Sequence, residues 1–358
     1  MLGGLGQDGK NVRVHHWRLR RGARAEGAAS RRGHAAALVH PRASSVTRPA
    51  DFSAGWRQVR EVGSDWGMGF VARLALRLGR RPVHILLRLV ALYYFLFHPA
   101  VRRRSRDFLQ TVGAAAGWRA VYRNLLRFAE CTLDRVFFLR GDVGALELRH
   151  HGHDHLDNLA RHGRGAIVLG AHLGSFESLR CLGQASKLPL HIVADVRNAG
   201  RMQKLLSRLV PSEKLRFIDA GGSAAELASE VRAAVDRGEL VAILADRVSG
   251  PRTVVVPFLG RQVHFPAGPF LVAAVLGCPV YLAFGLYFAP RRYELYCEPL
   301  ADGIQLPRHL ARAGRNAAMA SVVASYAARL EHYCRLAPDN WFNFFDFFTP
   351  PGTPSPSP

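Results

Sequence analysis

Acidic residues are scarce in this chain: 27 Asp and Glu stand against 49 Lys and Arg in 358 residues, a formal charge of +22 and a sequence pI near 11.0. That imbalance does not suit an ordinary metabolic enzyme and implies anionic partners such as acidic membranes, an acidic carrier protein or nucleic acid. Lysine is rare too, so arginine supplies nearly all of the positive charge. The five cysteines (Cys131, Cys181, Cys278, Cys297 and Cys334) show no C-x-x-C spacing, which argues against a zinc ribbon or a disulfide framework and for reduced core thiols in the cytosol. No G-x-S-x-G elbow occurs, so an activated serine nucleophile has no good candidate. Internal repeats are absent as well. No apolar run reaches the roughly 20 residues that a spanning helix needs.

What is present divides the chain. Residues 1–50 are rich in Arg, Gly, Ala and His without hydrophobic periodicity, and a disordered basic segment is expected there. From Trp56 to Phe97 apolar residues interleave with Arg73, Arg77, Arg80 and Arg81; Leu89 to Phe97 is free of charge, and Arg102, Arg103, Arg104 and Arg106 follow. Residues 51–115 therefore read as amphipathic or hydrophobic helices lying at an anionic membrane surface rather than crossing it. The plainer alternative is a helix packed on the domain's own core with solvated arginines. Trp118 to Leu139 is a further helix with Val121, Leu125, Phe128, Leu133 and Val136 near helical spacing; no functional role is expected of it. The ending PPGTPSPSP, residues 350–358, reads as an extended tail.

Chemistry is concentrated in GAIVLGAHLGSFESLR, residues 165–180. The short β-branched run Ala166 to Leu169 reads as a buried strand, and Ser175 onward has helix-forming composition. His172 thus sits at a strand exit, with Glu177 in H-x-x-x-x-E. On one continuous helix these side chains would lie about 140° apart, whereas a turn through Gly174 lets them converge. A carboxylate holding Nδ1 leaves the other imidazole nitrogen free to take a proton from an attacking hydroxyl. Ser175 is expected to cap the following helix. The plainer alternative makes His172 a satisfied strand-end residue and Glu177 a first-turn carboxylate favoured by the helix dipole.

Other segments offer less. HHGHDH, residues 150–155, gathers zinc-ligand types but lacks the spacer of H-x-H-x-D-H; the alternative is a strand over Leu146–His150, a turn at Gly152 and a helix from His155 to Arg161 capped by Asp154. Arg197 and Arg201 follow a strand at His191–Val193, where a cation could hold a phosphate or carboxylate. Ser223 and Glu226 form a capping box, and Gly238 closes that helix. A strand over Leu240–Leu244 delivers Asp246 and Arg247 to the edge where His172 emerges, provided both strands run parallel. Phe265, Pro266, Gly268 and Pro269 make a rigid turn before an apolar helix, and Gly268 permits close backbone approach. Val280–Phe284 and Tyr293–Cys297 should extend the sheet. A helix over Val322–Leu336 precedes WFNFFDFF, which must be buried or lie at a membrane interface, the latter suiting Trp and Phe near a basic surface.

From about Asp142 to Phe348 the ordered pieces GHDHLDNL, GAIVLGAHLGSFE, LVAILADR, VVVPFLGRQVHFPAGPF and LGCPVYLAF resemble the bacterial late acyltransferases of lipid A biosynthesis, within the lysophospholipid acyltransferase superfamily. HLGSFESLR, LADR, FPAGPF and WFNFFDFF are also similar to the acyltransferases associated with aryl polyene and xanthomonadin-type pigments. The resemblance implies a three-layer α/β domain with a mixed, largely parallel sheet over residues 116–349. It implies that His172 is the general base and Glu177 its orienting partner in moving an acyl chain from an acyl carrier protein or coenzyme A thioester to a hydroxyl or amine of a lipid acceptor, without an acyl-enzyme. It further implies that Arg197, Asp246, Arg247, Phe265 and Gly268 border the substrate pockets, that no cofactor or metal is used, and that the protein works at the cytoplasmic face of the bacterial inner membrane as a peripheral or shortly anchored enzyme. Two other classes compete: a noncatalytic basic protein binding membranes or nucleic acid, and a zinc hydrolase built on the 150–155 histidines.

Overall fold

The computed structural model describes residues 65–194, 216–248, 252–306 and 311–348. The expectations for residues 1–50, for the 350–358 tail and for Arg197 and Arg201 lie outside the described residues.

Four helices come first: α1 (Asp65–Leu78), α2 (Arg80–Phe97), α3 (Pro99–Thr111) and α4 (Trp118–Arg140). Pro99 opens α3, where its missing N–H costs nothing. Gly141 closes α4 in the left-handed region, φ 75°. Val83, Leu87 and Ala91 of α2 pack on Leu125, Leu126, Leu133 and Phe137 of α4. The contact is also polar. Asp134, fully buried on α4, receives Arg80 Nε at 2.7 Å and the Tyr293 hydroxyl at 2.8 Å. Glu130, one turn earlier, faces His84 at 2.8 Å and Arg127 at 2.7 Å. Removing one partner from such a buried pair costs far more than the pair contributes, so these contacts fix where α2 sits.

The opposite face of α2 is apolar and bare. Ile85, Leu89, Leu92, Tyr93, Leu96 and Phe97 are all exposed, Phe97 by 66%, and their spacing puts them on one stripe. α2 thus packs on the core with one face and leaves a second apolar face open, and Arg73, Arg77, Arg81, Arg88, Arg103 and Arg106 are exposed on the three helices. Among the described residues no single helix is long and apolar enough to cross a membrane; α2 and α3 together reach that length and composition but are bent by 96°.

Beyond α4 run β1 (Glu147–His151), α5 (His153–Arg161), β2 (Ala166–Gly170), α6 (Leu179–Ala185), β3 (Leu190–Ala194), β4 (Phe217–Asp219), α7 (Ala224–Asp236), β5 (Leu240–Leu244), β6 (Thr253–Phe258), β7 (Arg261–Pro266), α8 (Gly268–Leu276), β8 (Val280–Phe288), β9 (Arg292–Ala301), α9 (Arg312–Leu336) and a 3-10 turn at Pro338–Asn340. Among the described residues, seven strands form one sheet in the order β1-β9-β8-β2-β5-β3-β4, and β6 with β7 makes a separate hairpin. Only β8 with β9 is antiparallel in the large sheet. Its central strands are covered on both faces, as their uninterrupted apolar sequences require. Ile167, Leu169, Val241 and Ile243 pack with Val231 of α7, Phe270 of α8 and Tyr326 of α9. Ala166, Val168, Leu240 and Ala242 face Phe138 of α4, Leu156 of α5 and Leu182 of α6. This is the expected three-layer α/β arrangement with a mixed, largely parallel sheet.

Several local expectations change. β1 starts one residue late, and α5 begins at His153 after Gly152 turns at φ 74°, so Asp154 lies in the first turn instead of capping. Gly152 is needed there because a Cβ would come within 1.9 Å of the Cys297 carbonyl. Ser178, not Ser175, precedes α6. The Ser223–Glu226 capping box forms as expected. The WFNFFDFF run is buried over residues 341–343 and half-buried over residues 344–348: Trp341 is 2% exposed and stacks on Phe108 of α3 at 5.0 Å, because residues 340–343 are stitched to the strand exit of β2. All five cysteines are buried and free, and burial pushes the thiols up, Cys181 to about 11 and Cys297 to about 12.

Candidate active site

Gly170, the last residue of β2, pairs in parallel with Leu244, the last residue of β5. His172 and Asp246 each lie two residues beyond that pair, so equal register carries them out of the same sheet edge side by side. Nδ1 of His172 lies 2.9 Å from Oδ1 of Asp246, and the His172 backbone N–H donates to Oδ2 at 3.1 Å. Asp246 is fully buried while the imidazole remains 28% exposed. Among the described residues Nε2 of His172 has no hydrogen-bond partner.

The turn after His172 is held from two sides. Gly174 donates to the Asn340 carbonyl at 2.8 Å, Phe342 donates to the His172 carbonyl at 3.0 Å, and Ser175 donates to the Gly285 carbonyl at 2.8 Å. Gly174 has φ +69°, and a Cβ there would stand 2.0 Å from the Gly285 oxygen, so only glycine lets the turn lean on β8. The turn does not bring Glu177 to His172, which corrects the expected dyad. Glu177 points instead at Arg135 of α4, 2.5 Å from its Nη2. Asp246, expected to shape the cleft, takes the orienting place because a neighbouring parallel strand in matched register delivers it directly. The four intervening residues of the turn carry Glu177 away.

Two further residues were not anticipated. Asn343, 3% exposed, donates from Nδ2 to Asp246 Oδ2 at 2.8 Å and accepts Arg247 Nε on Oδ1 at 2.6 Å. Arg247 also donates to the Phe342 carbonyl at 3.3 Å and lies over the Phe345 ring at 5.4 Å. Arg135 comes from the helix for which no role was expected. Its distance along the chain from His172 hides it.

Electrostatics fix the protonation. Burial favours the neutral acid at Asp246, but the imidazole beside it, their hydrogen bond, Arg247 and Asn343 outweigh burial and hold the carboxyl well below the usual range. Burial and the positive charge of Arg247 lower the His172 pKa against the pull of Asp246, and Arg135 adds to the lowering. The pair is therefore a neutral imidazole on an ionised carboxylate, with Nδ1–H donated to Asp246 and a lone pair on Nε2. That arrangement can accept a proton from a hydroxyl or amine.

The remaining expected site residues fare differently. Phe265 is fully buried, packed against Phe258 at 5.6 Å and Tyr326 at 5.8 Å, and is a core residue instead of a pocket lining because β7 turns it inward. Gly268 begins α8, where a Cβ would meet nothing within 4 Å, so no close approach depends on it. The histidines of 150–155 do not converge on one point: His151 turns to Glu294 at 2.5 Å, His153 to Ser186 at 3.2 Å with the His150 ring edge-on to its own at 5.4 Å, and His155 to the Tyr281 ring. Among the described residues no group of three or more His, Cys, Asp or Glu is placed to hold a metal ion.

A largely parallel α/β sheet with a His–Asp pair at its carboxyl edge defines an α/β enzyme equipped for general-base chemistry. The family model described as "Bacterial lipid A biosynthesis acyltransferase" matches residues 133–345. The match spans more than half of the chain and contains His172, Asp246 and Arg135. The chain belongs to that family and is an acyltransferase of the lipid A late acyltransferase type. No curated protein matches it.

Proposed function

We propose that the protein moves an acyl chain from an acyl carrier protein or coenzyme A thioester to a hydroxyl or amine of a lipid acceptor, with His172 as general base. The observation that carries this reading is the unpartnered Nε2 of an imidazole whose Nδ1 is held by Asp246, inside the matched region. As the acceptor oxygen or nitrogen attacks the thioester carbon, its proton passes to Nε2, and Asp246 stabilises the imidazolium. The tetrahedral intermediate carries its negative charge beside the guanidinium groups of Arg247 and Arg135. Its collapse breaks the C–S bond, the thiolate takes the proton back from His172, and an ester or amide leaves with a free thiol. No acyl-enzyme forms.

The reaction takes place on an anionic membrane, the cytoplasmic face of the inner membrane in this reading. The support is the exposed apolar stripe of α2 beside exposed arginines on α1 to α3, a pattern that suits burial among acidic headgroups. The aromatic ending of residues 341–348 supports the aryl polyene-associated branch. The test is thiol release from long-chain acyl thioesters over a bacterial lipid extract, with the acylated product read by mass spectrometry. Wild type should turn over, and His172→Ala should lose turnover while still binding vesicles. Equal turnover by both proteins would end the assignment.

A further inference from the structure

Residues 339–343 hold the catalytic turn, and one side chain of α4 holds residues 339–343. Asn124, 1% exposed, donates from Nδ2 to the carbonyls of Asp339 and Trp341, each at 3.0 Å. The carbonyl between them, on Asn340, receives Gly174 instead, and the N–H of Phe342 donates to the His172 carbonyl. Trp341 is extended, with φ −80° and ψ 118°, and pairs with Leu173 as an isolated antiparallel bridge. Along an extended stretch successive carbonyls alternate in direction. Fixing the two that face α4 therefore fixes what Asn340 and Phe342 present to the turn. Asn343, which grips Asp246 at 2.8 Å, follows directly in the chain.

The fit is specific to a carboxamide. Its NH2 group carries two hydrogens, one for each carbonyl, whereas a carboxylate of the same shape carries none. Ser105 of α3, 3% exposed, sets which end of the amide faces the carbonyls, since its hydroxyl donates to Oδ1 at 2.7 Å. Asparagine is unfavourable inside a helix, yet it stands within α4. The family match begins at residue 133, so Asn124 lies outside it.

We propose that Asn124 is a positioning residue for acyl transfer: it sets the register of residues 339–343 against the turn after β2, and through them the geometry at which His172 meets Asp246. The proposal rests on the general-base reading of His172 above. Buried carbonyls that lose their donor seek another, so without Asn124 the segment shifts and the His172–Asp246 pair loosens. A merely structural asparagine would change stability alone, whereas a positioning one changes the rate of the chemical step in protein that is still folded.

The test measures thiol release from a long-chain acyl-coenzyme A over a bacterial lipid extract, using full-length protein well below each variant's unfolding midpoint. Asn124→Ala should lower kcat about tenfold to a hundredfold while KM for the thioester stays within about twofold of wild type. Arg123→Ala, which removes an exposed partner from the Asp339 carboxylate, should leave both unchanged. Ser105→Ala keeps the donors but frees the amide to turn, so it should cost about threefold to tenfold in kcat, and Ser105→Thr should restore the rate. In the Asp246→Asn background, Asn124→Ala should lower kcat by less than about twofold further, because both act through the same pair. Wild-type kcat in folded Asn124→Ala, a change confined to KM, or full multiplication of the two effects overturns the proposal. If Asn124→Ala does not fold, wild-type kcat in Ser105→Ala overturns it in the same way. Turnover retained by His172→Ala would refute the general-base reading; an inactive His172→Ala beside a fully active Asn124→Ala would refute the positioning role alone.

Discussion

The carboxyl edge of the sheet and the helical layer of α1 to α3 solve opposite problems. At the sheet edge the groups around the base hold one another: Asp246 is held by His172 and Asn343, Asn343 by Arg247, and the turn backbone by Asn340 and Gly285. Nε2 of His172 stands open, and openness there is what general-base chemistry needs. On α2 the polar side is settled inward, with Arg80 and His84 on buried acids, while six large apolar residues remain in solvent. One region turns its polar groups on one another and presents a lone pair to a small reactant. The other leaves a whole apolar face exposed, the face that the proposed membrane reading uses.

The largest effect that tests this contrast is catalytic. His172→Ala and Asp246→Asn should each lower thioester turnover by on the order of 10³-fold or more, whereas Glu177→Gln should cost much less because its carboxylate faces Arg135. A Glu177→Gln defect as deep as that of Asp246→Asn would return the orienting role to Glu177. Next comes the anchor between the regions. Asp134→Ala leaves Arg80 without its buried partner and should destabilise the fold by about 3–5 kcal/mol in chemical denaturation; a loss under about 1 kcal/mol would show that the helical layer is not pinned this way.

The exposed apolar face of α2 should respond on its own. A buried Leu or Phe contributes about 1.5–3 kcal/mol, so Leu89→Glu with Phe97→Glu should weaken binding to anionic vesicles at least about a hundredfold. Thermal unfolding should hardly move, since both residues are exposed. Simultaneous loss of stability would mean that the face is covered within the protein. The mildest test is pH. The folded pKa of His172 lies below its ordinary value, so turnover should be flat near pH 7 and fall up to tenfold per unit only on an acid limb starting below about 6.5. The stability change has the same sign: between the ordinary and the lowered pKa the unfolded chain binds the proton and the folded one does not, so acidification through that window destabilises the fold. An acid limb centred above 6.5 would contradict the electrostatics of the site.

Much of the sheet was legible because its central strands, such as Ala166–Gly170 and Leu240–Leu244, are short apolar runs bounded by turn residues, and parallel pairing of two such runs puts whatever follows each at one edge. His172 and Asp246 could therefore be placed together, yet the orienting role went to Glu177, since closeness in sequence suggested what register decides. Arg135 and Asn343 were invisible for a related reason: they reach the site through packing of α4 and of an irregular C-terminal segment, and neither contact has a local pattern. The aromatic run announced its own burial, but apolar composition alone does not say whether protein or lipid covers it. Phe265 and Gly268 illustrate the converse, a distinctive motif whose residues serve the hairpin β6–β7 and the start of α8.

The five sequestered thiols make this chain its own reporter of opening. With each sulfur buried and its thiolate disfavoured, the native protein should resist alkylating reagents, and each site should become reactive only as its surroundings part. Cys131 lies in α4 beside Asp134, whereas Cys334 is deep in α9. The order in which those two positions acquire label would therefore show whether the amino-terminal helices detach before the sheet comes apart.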